Sequence, residues 1–387
     1  MAKIKQILEK MCPNGVKFRK LGEICEINTG TQLNKDLLTD EGEYPVMNGG
    51  SSPSGFHDAY NVEANSIAIS QGGASAGFVN WMSTPYWAGA HCYTLKFKEG
   101  CDELLTRFLY FVLKNNQDFL SRKKRGAGIP GLPREVLRDF EIPVPPLSVQ
   151  REIVSVLDRF TDLEAELEAE LEARRQQYAF YREQLLAIDA PTRTLGEIGT
   201  FVRGNGLQKK DFVEEGVPCI HYGQIYTYYG TSATKTKTFV SPELAKRLKK
   251  AQSGDLVIAL TSENVEDVCK AVAWLGDGEI AISGDACIFS HKQNPKYIAY
   301  YFQTDAFFQQ KKRMVSGTKV MRVSRESLAK ITIPLPPLSE QSRIVDILDR
   351  FDALTTSLTE GLPAEIEARR QQYAYYREQL LHFEPLH

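Results

Sequence analysis

Apolar residues recur three and four positions apart along two long stretches. The first runs through Ile153, Leu157, Phe160, Leu163, Leu167, Leu171, Tyr178, Tyr181 and Leu185. The second runs through Ile344, Leu348, Phe351, Leu354, Leu358, Leu362, Ile366, Tyr373, Tyr376 and Leu380. Charged residues fill the remaining faces, so the spacing predicts two amphipathic helices. Pro145-Pro146 and Pro336-Pro337 halt the chain before each one, and Ser148 and Ser339 are the predicted N-caps. An unbroken helix of about 40 residues would be about 60 Å long. Such a stripe needs a partner, and each predicts the other as that partner in an antiparallel coiled coil. Gly361 and Pro363 predict a kink or break in the second helix.

The intervening stretches follow another pattern. Short β-type runs occur at Ser66–Ser70, Gly77–Trp81, Tyr93–Phe97, Leu256–Leu260, Ala271–Leu275 and Ala286–Phe289, separated by Gly- and Asn-rich turns. Helical runs follow at Glu103–Leu120 and Lys296–Lys312. Each stretch reads as a mixed α/β (α+β) domain of roughly 140 residues.

The two halves are copies. ARRQQYAFYREQLL (Ala173–Leu186) returns as ARRQQYAYYREQLL (Ala368–Leu381), with only Phe180 against Tyr375 differing. FEIPVPPLSVQREIVSVLDRFTDL (Phe140–Leu163) aligns with ITIPLPPLSEQSRIVDILDRFDAL (Ile331–Leu354) at an offset of 191. The ARRQQYA copies are offset by 195, so the second half carries four extra residues, about one helical turn. KLGEI (Lys20–Ile24) matches TLGEI (Thr194–Ile198) at an offset of 174, and Gly30 matches Gly204. A repeat of this kind predicts a pseudo-twofold arrangement in four segments: domains at 1–147 and 191–338, helices at 148–190 and 339–387. Lys5–Gly15 is placed beside the C-terminal helix, as REQLL precedes the second LGEI.

Net charge is −2, but it is unevenly distributed. The helical segments 148–188 and 339–387 each hold 5 basic and 9 acidic residues, leaving +6 on the remainder. That balance suits phosphate contacts. Arg174, Arg175, Arg369 and Arg370 are predicted to pair with helix glutamates. Seven cysteines lack C-x-x-C spacing, which points to free thiols in a reducing cytoplasm. No signal-peptide pattern or membrane-length apolar run is visible.

Motifs of catalysis are missing. There is no Gly-Lys dipeptide, hence no phosphate-binding G-x-x-x-x-G-K-[ST], and neither H-E-x-x-H nor G-x-S-x-G occurs. SQGGASAG (Ser70–Gly77) follows a strand and could cradle phosphate. Its counterpart, LTSENVED (Leu260–Asp267), has no glycine. A kept strand with a rewritten loop fits a scaffold bearing exchangeable reading loops, and also fits drift of a surface loop.

The paired I-P-x-P-P-L-S-x-Q segments with Gln150 and Gln341, the L-D-R-F continuations, the ARRQQY…YREQLL copies and the LGEI motifs together resemble the specificity subunit of type I restriction–modification systems. YPVMNGG and ISQGGASAGFV are similar to that family's target-recognition domains, and the resemblance spans essentially the whole chain. It implies a non-catalytic, cytoplasmic subunit. Two recognition domains would each read half of a bipartite double-stranded DNA target. The helices would hold two methyltransferase subunits, with restriction–translocase subunits joining them. No cofactor is implied on this chain; S-adenosylmethionine and ATP with magnesium would sit on the partners. A coiled-coil scaffold without DNA reading and a stand-alone enzyme are the alternatives.

Polar hydrogen-bonders in the loops are candidate base readers. In the first half these are Asn48, Ser51, Ser52, Ser70, Gln71, Ser75 and His91. Lys123, Lys124 and Arg125 are candidate phosphate contacts. In the second half the readers are His221, Tyr222, Gln224, Thr261, Ser262 and Asn264, with Lys311, Lys312, Arg313, Lys319 and Arg322 nearer the backbone. A solvated helix end is the plainer reading of the basic runs.

Overall fold

The computed structural model describes residues 12–126, 128, 130–357 and 359–386. The fold is mixed α/β, with one plan built twice in tandem. The chain divides into two compact units. One holds residues up to Glu168 together with Glu365 onward, and the other is Ala169–Ala364. These units cut across the four sequential segments. Each contains one α/β domain, the start of one long helix and the end of the other.

In the first unit, a four-stranded antiparallel sheet has the order Cys25–Thr29, Cys92–Phe97, Ser66–Ser70, Val79–Met82. The second unit repeats this order as Gly199–Arg203, Ala286–His291, Leu256–Ala259, Ala271–Trp274, and adds Ser232–Ala233 in parallel at the edge. The central strand Leu256–Ala259 is buried throughout. Leu256 and Ile258 face one apolar cluster, and Val257 and Ala259 face another. That two-sided burial explains a continuous apolar run in place of alternation. Each unit has a second sheet, three-stranded in the first unit and five-stranded in the second. The predicted helical runs each divide in two: Thr106–Asn115 with Gln117–Arg122, and Pro295–Tyr301 with Asp305–Lys312. In the second, the Thr304 side chain accepts from Phe307 N and starts a new helix.

The central helix, Leu147–Leu186, is continuous over 40 residues. The second helix is broken, as Gly361 and Pro363 predict, ending at Thr356 and resuming at Leu362. Ser357 Oγ accepts from Glu360 N at 3.1 Å, and a Cβ on Gly361 would meet Ala353 O at 2.5 Å. The four extra residues are therefore consumed in the break and do not extend the helix by a turn. Leu358 lies outside the described residues, as does most of Lys5–Gly15. Val16 does bond to the C-terminal segment, through Val16 N to Glu384 O at 2.9 Å and Leu386 N to Val16 O at 2.8 Å.

Inside the first unit the two helix segments run antiparallel. Phe160 stacks on Tyr376 at 5.4 Å and lies 6.0 Å from Tyr373, while Arg370 reaches back to Glu164 at 2.6 Å. The second unit repeats the aromatic trio, with Phe351 on Tyr181 at 5.4 Å and on Tyr178 at 6.3 Å. Arg174 pairs with Glu170 and Arg369 with Glu365. Arg175 departs from the expectation: it is exposed and has no ion pair among the described residues. It matches Arg370, but Thr355 stands where the first copy has Glu164.

Ser148 and Ser339 are not N-caps. The helices begin at Leu147 and Leu338, because the preceding proline pair already directs the chain into the first turn. The matched glutamines do the joining. Gln150 is wholly buried; its Nε2 donates to Pro145 O at 2.8 Å and Glu103 O at 2.7 Å, and its Oε1 accepts from Leu105 N at 2.8 Å. Gln341, equally buried, donates to Pro336 O and Gln293 Oε1 and accepts from Asn294 N at 3.0 Å. The aspartate of each L-D-R-F motif adds an ion pair to the domain, Arg107–Asp158 at 2.7 Å and Lys296–Asp349 at 2.6 Å. No described helix is long and apolar enough to cross a membrane.

Candidate nucleic-acid interface

In the first unit, backbone bonds draw four loops into one cluster. Gln71 N donates to His91 O at 2.8 Å, and Gln71 O accepts from Leu132 N at 2.7 Å. Asn48 Oδ1 accepts from His91 N at 3.1 Å, and Ser70 Oγ donates to Gly50 O at 2.7 Å. Lys124 Nζ reaches Ala74 O at 3.3 Å. Asn48, Ser51, Ser52, Gln71, Ser75, His91, Lys123, Lys124 and Arg125 thus share one loop surface; Ser51, Ser52, His91 and the three basic residues are exposed. Ser70 is 3% exposed and its hydroxyl is occupied, so it shapes the 48–52 loop from beneath and leaves the set of surface readers.

The second unit assembles its candidates around two open clefts. One, of about 570 Å³, brings His221, Gln224, Ser262 and Asn264 together with Lys209, Phe212, Tyr226, Lys237 and Thr238. The other, of about 520 Å³, joins His221 and Tyr222 to Arg203–Lys209 and Ser283–Asp285. His221 opens a short helix: its Nδ1 accepts from Gly223 N at 3.2 Å, and Gln224 Oε1 accepts from His221 N at 3.0 Å. Burial, then the nearby Lys209, lowers the His221 pKa below the usual histidine value, and its ring lies tilted against that of Tyr222 with centroids 4.5 Å apart. Tyr222 N donates to Ser283 Oγ, and Gln224 Nε2 to Thr238 Oγ1.

Thr261 and Lys311 are buried, which corrects their assignment as surface contacts, while Ser262, 3% exposed, forms part of the cleft wall. Thr261 and Ser262 form a strand paired with Met321 and Arg322, and Ser262 Oγ turns the loop through Asn264. Asn264 is exposed, though it also bonds Asp267. Lys311 is 3% exposed, donating to Glu266 O at 2.9 Å and Val268 O at 2.7 Å, and burial lowers its pKa. At the repeat offset of 191 it occupies the place of Leu120, a core residue of the first unit. Lys312, Arg313, Lys319 and Arg322 are exposed.

Lys209, Tyr226, Lys237 and Thr238 escaped the sequence reading. They arrive through non-local pairings, such as the parallel register of Cys219 with Ala281, which leave no local period. One signal was present in Gly30 and Gly204. A Cβ on either would lie 2.2 Å from a backbone oxygen, of Ala88 and Ser283 respectively, so both mark the same loop crossing.

The two copies of this strand-and-loop scaffold carry unlike sets of hydrogen-bonding and basic side chains. The model of the type I restriction modification DNA specificity domain matches residues 13–173 and 188–368, and the chain belongs to that family. A Haemophilus influenzae protein provisionally named a type I restriction enzyme specificity subunit is 31% identical over 97% of this chain and 98% of its own length. The specificity subunit of an Escherichia coli type I restriction enzyme is 29% identical, covering 95% of this chain and 94% of that one. The fold is similar to the crystal structure of the S subunit from M. genitalium, with a TM-score of 0.57, 20% identity, and coverage of 95% and 97%. A chain from a structural study of type I R-M complex assembly gives a TM-score of 0.62 at 16% identity, covering 96% and 98%.

Proposed function

We propose that this chain reads a bipartite double-stranded DNA target, each unit reading one half-site, and directs methyltransferase and restriction subunits to it. The chain itself is non-catalytic and acts in the cytoplasm. Its long helices dock two methyltransferase subunits, and restriction–translocase subunits join the assembly. S-adenosylmethionine, ATP and magnesium belong to those partners. The observation that carries the reading is the repeated scaffold with exchanged loops: matched glutamine joints at Gln150 and Gln341, but Asn48–Ser52 and His91 in one unit against the His221–Gln224 cleft in the other.

Methylation mapping of DNA from cells with and without the gene tests it. A two-part motif that disappears with the gene is the expected result. An unchanged methylome, or methylation by the highly purified chain alone, overturns the division of labour. A scaffold without DNA reading would show no salt-dependent binding of duplex DNA by the full chain.

A further inference from the structure

The hairpin Ser316–Arg322 is closed at its base by a reciprocal pair, Ser316 N to Arg322 O at 2.9 Å and Arg322 N to Ser316 O at 2.8 Å. Just beyond it, Val323 N donates to Leu260 O at 3.1 Å. The first unit builds the same closure 191 residues earlier: Arg125 and Gly131 exchange both bonds at 2.8 Å, and Leu132 N donates to Gln71 O. Loop length is therefore the same. Between RGAGIPG and SGTKVMR only one letter is kept, Gly126 against Gly317. Both adopt positive φ, 123° and 102°. A Cβ on Gly317 would also lie 2.1 Å from Val320 O. The residue that sets the shape is kept, and every residue that could touch a partner is changed.

We infer that the hairpin Ser316–Arg322 is a base-reading finger of the second unit, presenting Lys319 and Val320 to base edges. The inference rests on the proposed reading of DNA and moves Lys319 from backbone contact to specificity. Thr318, Lys319 and Val320 are all exposed, Val320 by 42%. A β-branched apolar side chain at such a tip serves no core of this unit. In a major groove it has a specific counterpart, the thymine methyl group, as the Lys319 ammonium has in guanine O6 and N7. The paired base supplies the rigidity that base reading needs. Arg322, held in the closure and bridged to Thr261, remains at the rim where phosphates pass.

The test is the full-length double variant Lys319→Ala/Val320→Ala, expressed in place of the wild type in its own cells and followed by methylation mapping. Gly317 and the closure are retained. The expected result is relaxed preference at one or two positions of the second half-site, discrimination there falling about 10-fold or more, with the first half-site unchanged. An unchanged second half-site, with weaker methylation throughout, makes the hairpin a phosphate contact and overturns the inference alone. A wild type with no gene-dependent motif overturns both this inference and the function on which it rests. If the variant yields no methylation, selection of duplexes from a randomised library by the purified full chain decides the same question. Relaxed second-half preference supports the finger, and an intact preference overturns it.

Discussion

Substituting leucine for Gln150 probes the joint between domain and helix at nearly constant side-chain volume. The change removes three hydrogen bonds from a site with no solvent exposure. It strands Pro145 O completely and Leu105 N and Glu103 O in part. At about 1 kcal/mol for each lost bond, the joint weakens by about 3 kcal/mol, which multiplies the local opening constant by about 150. Amide hydrogen exchange of the full chain reads this unit by unit. Exchange should accelerate across Thr106–Asn115 and residues 145–157 and stay at wild-type rates in the second unit. Gln341→Leu should do the converse across Pro295–Tyr301 and residues 336–348. Its effect should be smaller, about 2 kcal/mol, because one of its partners is the Gln293 side chain, which can turn to water. Equal acceleration in both units for either variant, or less than about 5-fold in the expected one, would refute the joint.

Changing Lys123, Lys124 and Arg125 together to alanine should weaken DNA binding and reduce the log–log salt slope by about two to three, without altering the methylated motif; a changed motif at undiminished affinity counts against the assignment. Lys311→Leu should leave the salt slope alone. It strands Glu266 O and Val268 O, costs the second unit about 1–2 kcal/mol, and speeds exchange across residues 260–270; a flattened slope would return Lys311 to the DNA surface. Burial lowers the His291 pKa from 6.5 to about 4. The folded unit therefore holds this ring neutral while the unfolded chain protonates it. Its contribution is fully present above pH 6.5 and declines as pH falls toward 4. As pH falls from 6.5 toward 4, the urea midpoint of the second unit should drop in the wild type relative to His291→Gln; parallel curves would remove His291 from the titration.

Much of the scaffold was legible because local chemistry dictates it. Ser66–Ser70 was bounded to the residue, since Ile67 and Ile69 alternate with small residues between a turn and glycines. The break at Gly361 and Pro363 followed from backbone sterics alone. The N-caps were misread because a proline pair had already directed the chain, leaving the serines inside the first turn. Lys311 was misread because charge looks exposed in one dimension. Only the repeat offset, which sets it on Leu120, betrays a core position. The second unit's cleft was legible only in part. His221, Gln224, Ser262 and Asn264 stood out as polar loop residues, but Lys209, Lys237 and Thr238 are distant in sequence and meet them through strand order, which periodicity does not encode.

The interleaving of the units has a consequence in time. The second unit is one uninterrupted stretch, Ala169–Ala364, but the first is finished only by residues after Glu365. Leu380 and Leu381 belong to its apolar cluster, and Phe383 meets Phe108 with ring centroids 6.3 Å apart. On a ribosome adding about 5–20 residues per second, the leading domain waits roughly 10–40 s for the segment that covers it, while the trailing unit can close first. The earliest part of the chain to emerge is thus the last to be sealed. A nascent chain stalled before Glu365 would carry an open apolar face on its oldest domain, one for a chaperone to shield or a protease to find.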